Sequence, residues 1–325
     1  MGSKLHEEAV VVDGLIIADF SRAVFEDMRR GGLTAANCTC SVWENFRASM
    51  DRLAVWKTHF RDNADLITQV YTTADIDRAK REGRTGIILG WQNLTGIEDR
   101  VDFLALFKEL GVGVMQIAYN TQNLVGSGCY EKNDGGLSGF GHEVVAEMNR
   151  VGILCDLSHV GARTSEEVIR ASKKPVAYTH CLPAGLKAHP RNKSDEQLRF
   201  IAERGGFIGV TMFPPFLKRG AQSTVDDYVE AIEYVIAIAG EDQIGIGTDF
   251  TQGYGQAFFD WITHDKGYAR KLTDFGEVIN PEGLRTIGEM PNLTAAMQRR
   301  GWGEARIRKV IGANWVRLLR EVWGA

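Results

Sequence analysis

Eight short runs rich in Val, Ile and Ala punctuate the chain, at residues 9–17, 35–42, 85–93, 112–120, 152–160, 175–181, 205–213 and 243–250. Longer stretches separate them, among them 100–110, 140–151, 164–172, 194–204 and 224–239, in which apolar residues recur every three or four positions. The short runs suit buried strands and the long ones amphipathic helices. Ser165 before Glu166 and Glu167, and Ser194 before Asp195 and Glu196, mark helix starts, while Gly111, Gly152, Gly205 and Gly240 stand just past helix ends. Connections of this length exceed any hairpin and call for crossover helices, so the strands pair in parallel. Eight such alternations predict an α/β fold, a (β/α)8 TIM barrel, as one domain over 1–325, with 251–325 forming a loop and additional C-terminal helices as a cover. An open doubly wound sheet is the alternative, yet Asp13-Gly14-Leu15-Ile16-Ile17 is no glycine-rich phosphate loop.

Charge and cysteine usage narrow the partners. The 325 residues carry 38 Lys and Arg against 42 Asp and Glu, with no long charge run, which gives no footprint for nucleic acid or an anionic membrane and leaves a small-molecule substrate. Five cysteines, an odd number without a Cys-x-x-Cys pair, fit reduced thiols in a cytoplasmic protein. The first twelve residues include Lys4, His6, Glu7 and Glu8, a pattern of neither a signal peptide nor a membrane span. A homodimer is compatible with all of this.

In such a barrel, chemistry belongs at the C-terminal ends of the strands. Those ends carry Ile17, Val42, Gln92, Asn93, Tyr119, Asn120, His159, His180, Phe213 and Asp249. His159 and His180, on neighbouring strands, are candidate ligands of one divalent metal, with Asp249 as the carboxylate that completes the shell or handles protons. Gly245 and Gly247, on the same strand as Asp249, are expected to leave room above the barrel centre.

Gly139-Phe140-Gly141, then Glu147 to Gly152, then Asp156-Leu157-Ser158-His159-Val160 resemble the renal (membrane) dipeptidase family of the amidohydrolase superfamily. Thr179-His180, Arg191-Asn192 with Asp195, Ile246 to Phe250, Asn292-Leu293-Thr294 and Gly312-Ala313-Asn314 continue the resemblance in order. It implies a TIM-barrel metallodipeptidase with two zinc ions bridged by a glutamate and a hydroxide. Three positions depart from that pattern: Leu15 and Ile17 stand for the His and Asp ligands of the first strand, and Gln92 for the bridging glutamate. Tyr119 stands for a further histidine near the substrate carbonyl.

What the resemblance leaves is His159 and His180 as metal ligands, Asp249 as the catalytic carboxylate and Arg191 for a substrate carboxylate; Tyr119, Gln92 and Asn120, by their place at strand ends, are further candidate substrate-binding residues. The expectation is an amidohydrolase acting on a small dipeptide or N-acyl amino acid, with one divalent metal, zinc, or none, in place of a two-metal centre. The competing reading is an inactive or repurposed member whose aromatic residues Trp43, Trp91, Tyr119, Tyr178 and Phe213 hold an amino-acid-like or alkylated-amine ligand.

Overall fold

The computed structural model describes residues 4–324. All eight expected runs form strands of one closed parallel barrel. In chain order the strands are β1 (Val12–Ile16), β2 (Ala35–Ser41), β3 (Ile67–Gln69), β4 (Thr85–Trp91), β5 (Val112–Gln116), β6 (Leu154–Asp156), β7 (Ala177–Cys181), β8 (Phe207–Val210) and β9 (Ile244–Ile246). β2 pairs directly with β4, from Ala35 opposite Gly86 to Ser41 opposite Trp91, and β1 pairs with both β2 and β9, closing the ring. The ninth strand, β3, lies outside the ring. It borders the first half of β4 on the edge that β5 takes over from Leu89 onward. Two of its three residues, Thr68 and Gln69, are polar and only half-buried, whereas the equally short β6 and β9 lie within longer apolar runs, which is why the sequence reading has no strand there.

Two junctions of the barrel rest on aspartates. β1 and β9 share one residue pair, Asp13 with Ile246, and β6 and β7 share one, Asp156 with Ala177. At each the carboxylate takes the place of the missing ladder bonds. Asp13 accepts from the backbone N–H groups of Leu15 (3.1 Å) and Thr248 (2.8 Å) and from the Thr248 hydroxyl (2.5 Å). Asp156 does the same with Ser158 N–H and Thr179 N–H, both at 3.0 Å, and with the hydroxyls of Ser158 and Thr179. Buried backbone donors need partners, and a side chain is supplying them.

The helix Asn314–Trp323 closes the opposite, N-terminal end. Trp315 fits under the barrel with its Nε1 donating to Ile246 O at 2.8 Å. A Cβ at Gly14, Gly209 or Gly245, on three different strands, would stand 2.3–3.1 Å from its indole. The expected role of Gly245 and Gly247 is therefore corrected. Gly245 makes room for Trp315 below, and a Cβ at Gly247 would meet Thr179 O at 1.9 Å, so neither opens space for a ligand.

Over the C-terminal mouth lie the helix Gln256–Thr263 and the loop that follows it. Among the described residues no helix is long and apolar enough to cross a membrane.

Candidate active site

His180 sits within β7 and is fully buried; His159 lies in the turn after β6. Their Nε2 atoms are 3.0 Å apart. Each ring is held from behind. The Thr179 hydroxyl donates to Asp156 at 2.8 Å, so at 2.8 Å from His180 Nδ1 it accepts that ring's proton. His159 Nδ1 donates to Asn120 Oδ1 at 2.7 Å. Both imidazoles thus carry hydrogen on Nδ1 and turn an Nε2 lone pair toward the other. Burial, joined by the charge of Arg191, holds both far below the ordinary histidine range, so both are neutral. Tyr119 stacks on His159 with ring centroids 4.1 Å apart.

Asn120 and Asp249 adopt left-handed backbone, each with φ of 62°. Such geometry is uncommon outside glycine, though Asn and Asp tolerate it best, and both residues lie in the loops that follow β5 and β9. The Asp249 N–H is tied to Leu15 O at 2.9 Å. Burial lifts the Asp249 carboxyl to about 7; Arg191 opposes the rise, and Asp13 and Asp156 add to it. A carboxyl half-ionised at neutral pH is matched to proton transfer. Asp249 forms no metal-binding group with the two histidines: among the described residues no cluster of three His, Cys, Asp or Glu has that geometry. The expectation that Asp249 completes the metal shell is corrected on this point.

Arg191 is buried and is no surface ion pair. Nη1 donates to Ser158 O, while Nε and Nη2, the two donors along one edge of the guanidinium, have no partner. A buried cation with an unfilled fork is the arrangement that takes a carboxylate bidentately. Sequence reasoning missed two neighbours. Asp156 fixes His180 through Thr179, and Lys193, fully buried, donates to Val160 O at 2.9 Å and lies 4.8 Å from the Tyr178 ring centre. Burial brings Lys193 down to about 8. A carboxylate inside an apolar run, Asp156 within 152–160, was the available signal for the first; Lys193 left none.

At the three positions where the resemblance leads one to expect metal ligands, the side chains are packed or hydrogen-bonded. Leu15 and Ile17 are buried, and Ile17 packs with Val42 and Tyr119 in an apolar cluster that Trp43, Phe258 and Trp261 flank. Gln92 donates its amide to Thr39 Oγ1 at 3.0 Å. A cavity of about 20 Å³ remains between Gln92, Tyr119, His159 and Asp249, roofed by Phe213, Phe216, Phe258 and Phe275. Trp91 and Tyr178, expected to line a pocket, are instead core residues; Trp43 meets Tyr119 edge-on. Cys181, beside His180, is buried with its thiol pushed up to about 12, so it is no nucleophile.

The membrane dipeptidase family (peptidase family M19) matches residues 13–268 and 272–324. The chain belongs to this family. Dipeptidase verJ of Clonostachys rogersoniana is 26% identical over 285 residues, covering 86% of this chain and 66% of its own length. This chain therefore spans just under two thirds of that relative. An amidohydrolase structure from Pseudomonas aeruginosa is 64% identical with a TM-score of 0.98, covering 99% of each chain. A metallopeptidase from Rhodobacter sphaeroides, liganded with a phosphinate mimic of the dipeptide L-Ala-D-Ala, is 20% identical with a TM-score of 0.80, covering 97% of this chain and all of its own, and shares the fold.

Proposed function

We propose that this protein hydrolyses the amide bond of a small, carboxylate-bearing substrate, a dipeptide or N-acyl amino acid, in the mouth of the barrel. The observation that carries the reading is Asp249, a buried carboxyl lifted to about 7 on the same cavity as His159, under the influence of the unpaired Arg191 guanidinium. Family membership and the dipeptidase names of its relatives support it.

A two-metal centre does not fit these residues, because hydrocarbon occupies two ligand positions and a neutral amide the bridge. One ion fits. Two imidazoles on a tetrahedral ion stand about 3.3 Å apart, given metal–nitrogen distances of about 2.0–2.1 Å, and the facing Nε2 lone pairs at 3.0 Å are close to that. His159 and His180 would hold a single divalent ion, zinc suiting imidazole, which when bound polarises a carbonyl and acidifies water.

The remaining work falls to the chain itself. Arg191 grips the substrate carboxylate along its Nε and Nη2 edge and so fixes the scissile bond. Asp249 takes a proton from the attacking water as the C–O bond forms, then returns it to the leaving nitrogen as the C–N bond breaks, giving an acid and an amine. Tyr119 and the phenylalanine roof exclude other water. A panel of dipeptides and N-acyl amino acids, assayed with zinc-loaded wild-type protein and Asp249→Asn, tests this; turnover that survives the substitution would overturn it.

A second reading, a member that binds without turnover, draws on the filling of the first metal position by Leu15 and Ile17. Its mark is saturable binding of amino-acid-like or alkylated-amine ligands with no product.

A further inference from the structure

A second cavity, far roomier than the one at the histidines, lies on the same face of the barrel. About 650 Å³ in volume, it opens beside them over the C-terminal ends of β1 and β2, between the helix Phe46–Asp62 and the helix Gln256–Thr263. That volume lies in the range of pockets for ligands of drug-like size. Its partition from the 20 Å³ cavity is thin. Ile17 and Phe258 line both, and the hydrogen bond from Gln92 to Thr39 joins a residue of the small cavity to one of the large.

We infer that this cavity receives the acyl-side portion of the substrate, and that the substrate carries a bulky aromatic group there. The inference rests on the hydrolase reading above and adds to it a direction and a size. The direction follows from the barrel. Going round the ring from β1 through β2 and β4, β6 lies diametrically across from β1 and β7 across from β2. Arg191 is held on Ser158 O, just past β6, so a carboxylate bound there points the rest of the substrate across the mouth toward β1 and β2. The large cavity is at that far side.

The size follows from the volumes. A space of 20 Å³ holds about one water molecule, so the bulk of any substrate must lie elsewhere, with the Ile17 and Phe258 side chains yielding as it passes. The chemistry follows from the walls. Phe20, Trp56, Tyr254, Phe258 and Trp261 all contribute rings, and Tyr254 stacks on Phe258 at 3.7 Å. Flat, rigid aromatic surface favours an aromatic occupant through offset or edge contacts. At the rim, Glu44 and Arg52 pair at 3.1 Å and Asp19 is exposed, so a polar tip on that group stays solvated. None of these wall residues was singled out as a ligand-binding residue from sequence, because they come from four separate segments.

The test uses two series on zinc-loaded protein: N-acyl alanines with acetyl, benzoyl and naphthoyl groups for turnover, and phosphinate dipeptide mimics with methyl, benzyl and naphthylmethyl side chains on the acyl side for binding. Affinity is expected to rise by about tenfold or more from methyl to naphthylmethyl, the scale set by burying aromatic surface in such a pocket. Ala257→Trp, which narrows the cavity from its exposed wall, is expected to collapse that ratio. Affinity that is flat or falls with size while the acetyl substrate is turned over overturns the pocket and spares the hydrolase reading. Size-dependent binding without turnover of any substrate supports the pocket and overturns hydrolysis, and no binding in either series overturns both.

Discussion

His159 and His180 face each other Nε2 to Nε2 at 3.0 Å, each fixed by a hydrogen bond at its far nitrogen, to Asn120 and to Thr179. Neutral imidazoles with opposed lone pairs repel unless something electropositive lies between them. The partners behind the rings therefore matter as much as the rings. Thr179→Val keeps the shape of the side chain but removes the acceptor for His180 and a donor to Asp156. It is expected to weaken zinc binding by about 10–100-fold, the usual cost of losing such a supporting contact. Calorimetric titration with zinc checks this, and unchanged affinity would remove Thr179 from the account.

Asp249→Asn preserves volume and removes the titrating proton. Turnover is expected to fall by about 10²–10⁴-fold, the typical contribution of a positioned general base, with the far-ultraviolet dichroism spectrum unchanged.

The same carboxyl sets a pH dependence. In the metal-free chain it is lifted to about 7, and a bound dication would draw it down, so kcat/KM in the zinc-loaded wild type should climb with pH and level off at or below pH 7. Stability of the metal-free protein should move the other way. Between the ordinary carboxyl pKa near 4 and the raised one, the folded state binds the extra proton, so raising the pH lowers stability. Asp13, lifted to about 6 by burial, acts in the same direction. Denaturant midpoints at pH 5 and pH 8 check this: Asp249→Asn should lose less stability than wild type over that interval, and an equal loss would contradict the assignment.

Arg191 is a buried cation without a carboxylate partner, which costs the fold, and the proposed reading gives that partner as the substrate's carboxylate. Arg191→Met is expected to raise KM by about 100-fold or more, the scale of losing a charge-assisted pair, while the melting temperature holds or rises. A lower melting temperature with KM intact would make Arg191 structural.

The barrel was legible because its code is periodic: eight buried runs and the helices between them carry their own signal, and only β3, half-polar and outside the ring, escaped. The candidate site positions were legible for the same reason, since His180 lies at the end of β7, and His159 and Asp249 follow β6 and β9 by three residues each. What the sequence could not display was anything set by left-handed turns or by distant segments meeting. Asp249 takes up φ 62° beyond its strand, and among the described residues it forms no metal-binding group with the histidine pair it was expected to join. The Trp315 plug, Lys193 and the walls of the large cavity come together only in three dimensions.

The central claim is that one metal position survives, at His159 and His180, and that Leu15, Ile17 and Gln92 close the other. Elemental analysis after zinc loading and exhaustive dialysis measures it directly, on wild type, on His159→Ala with His180→Ala, and on Leu15→His with Ile17→Asp and Gln92→Glu. The expected zinc content is one ion per chain in the wild type, none in the double variant and two in the triple. Two ions in the wild type, or one that persists when both histidines are removed, would contradict it.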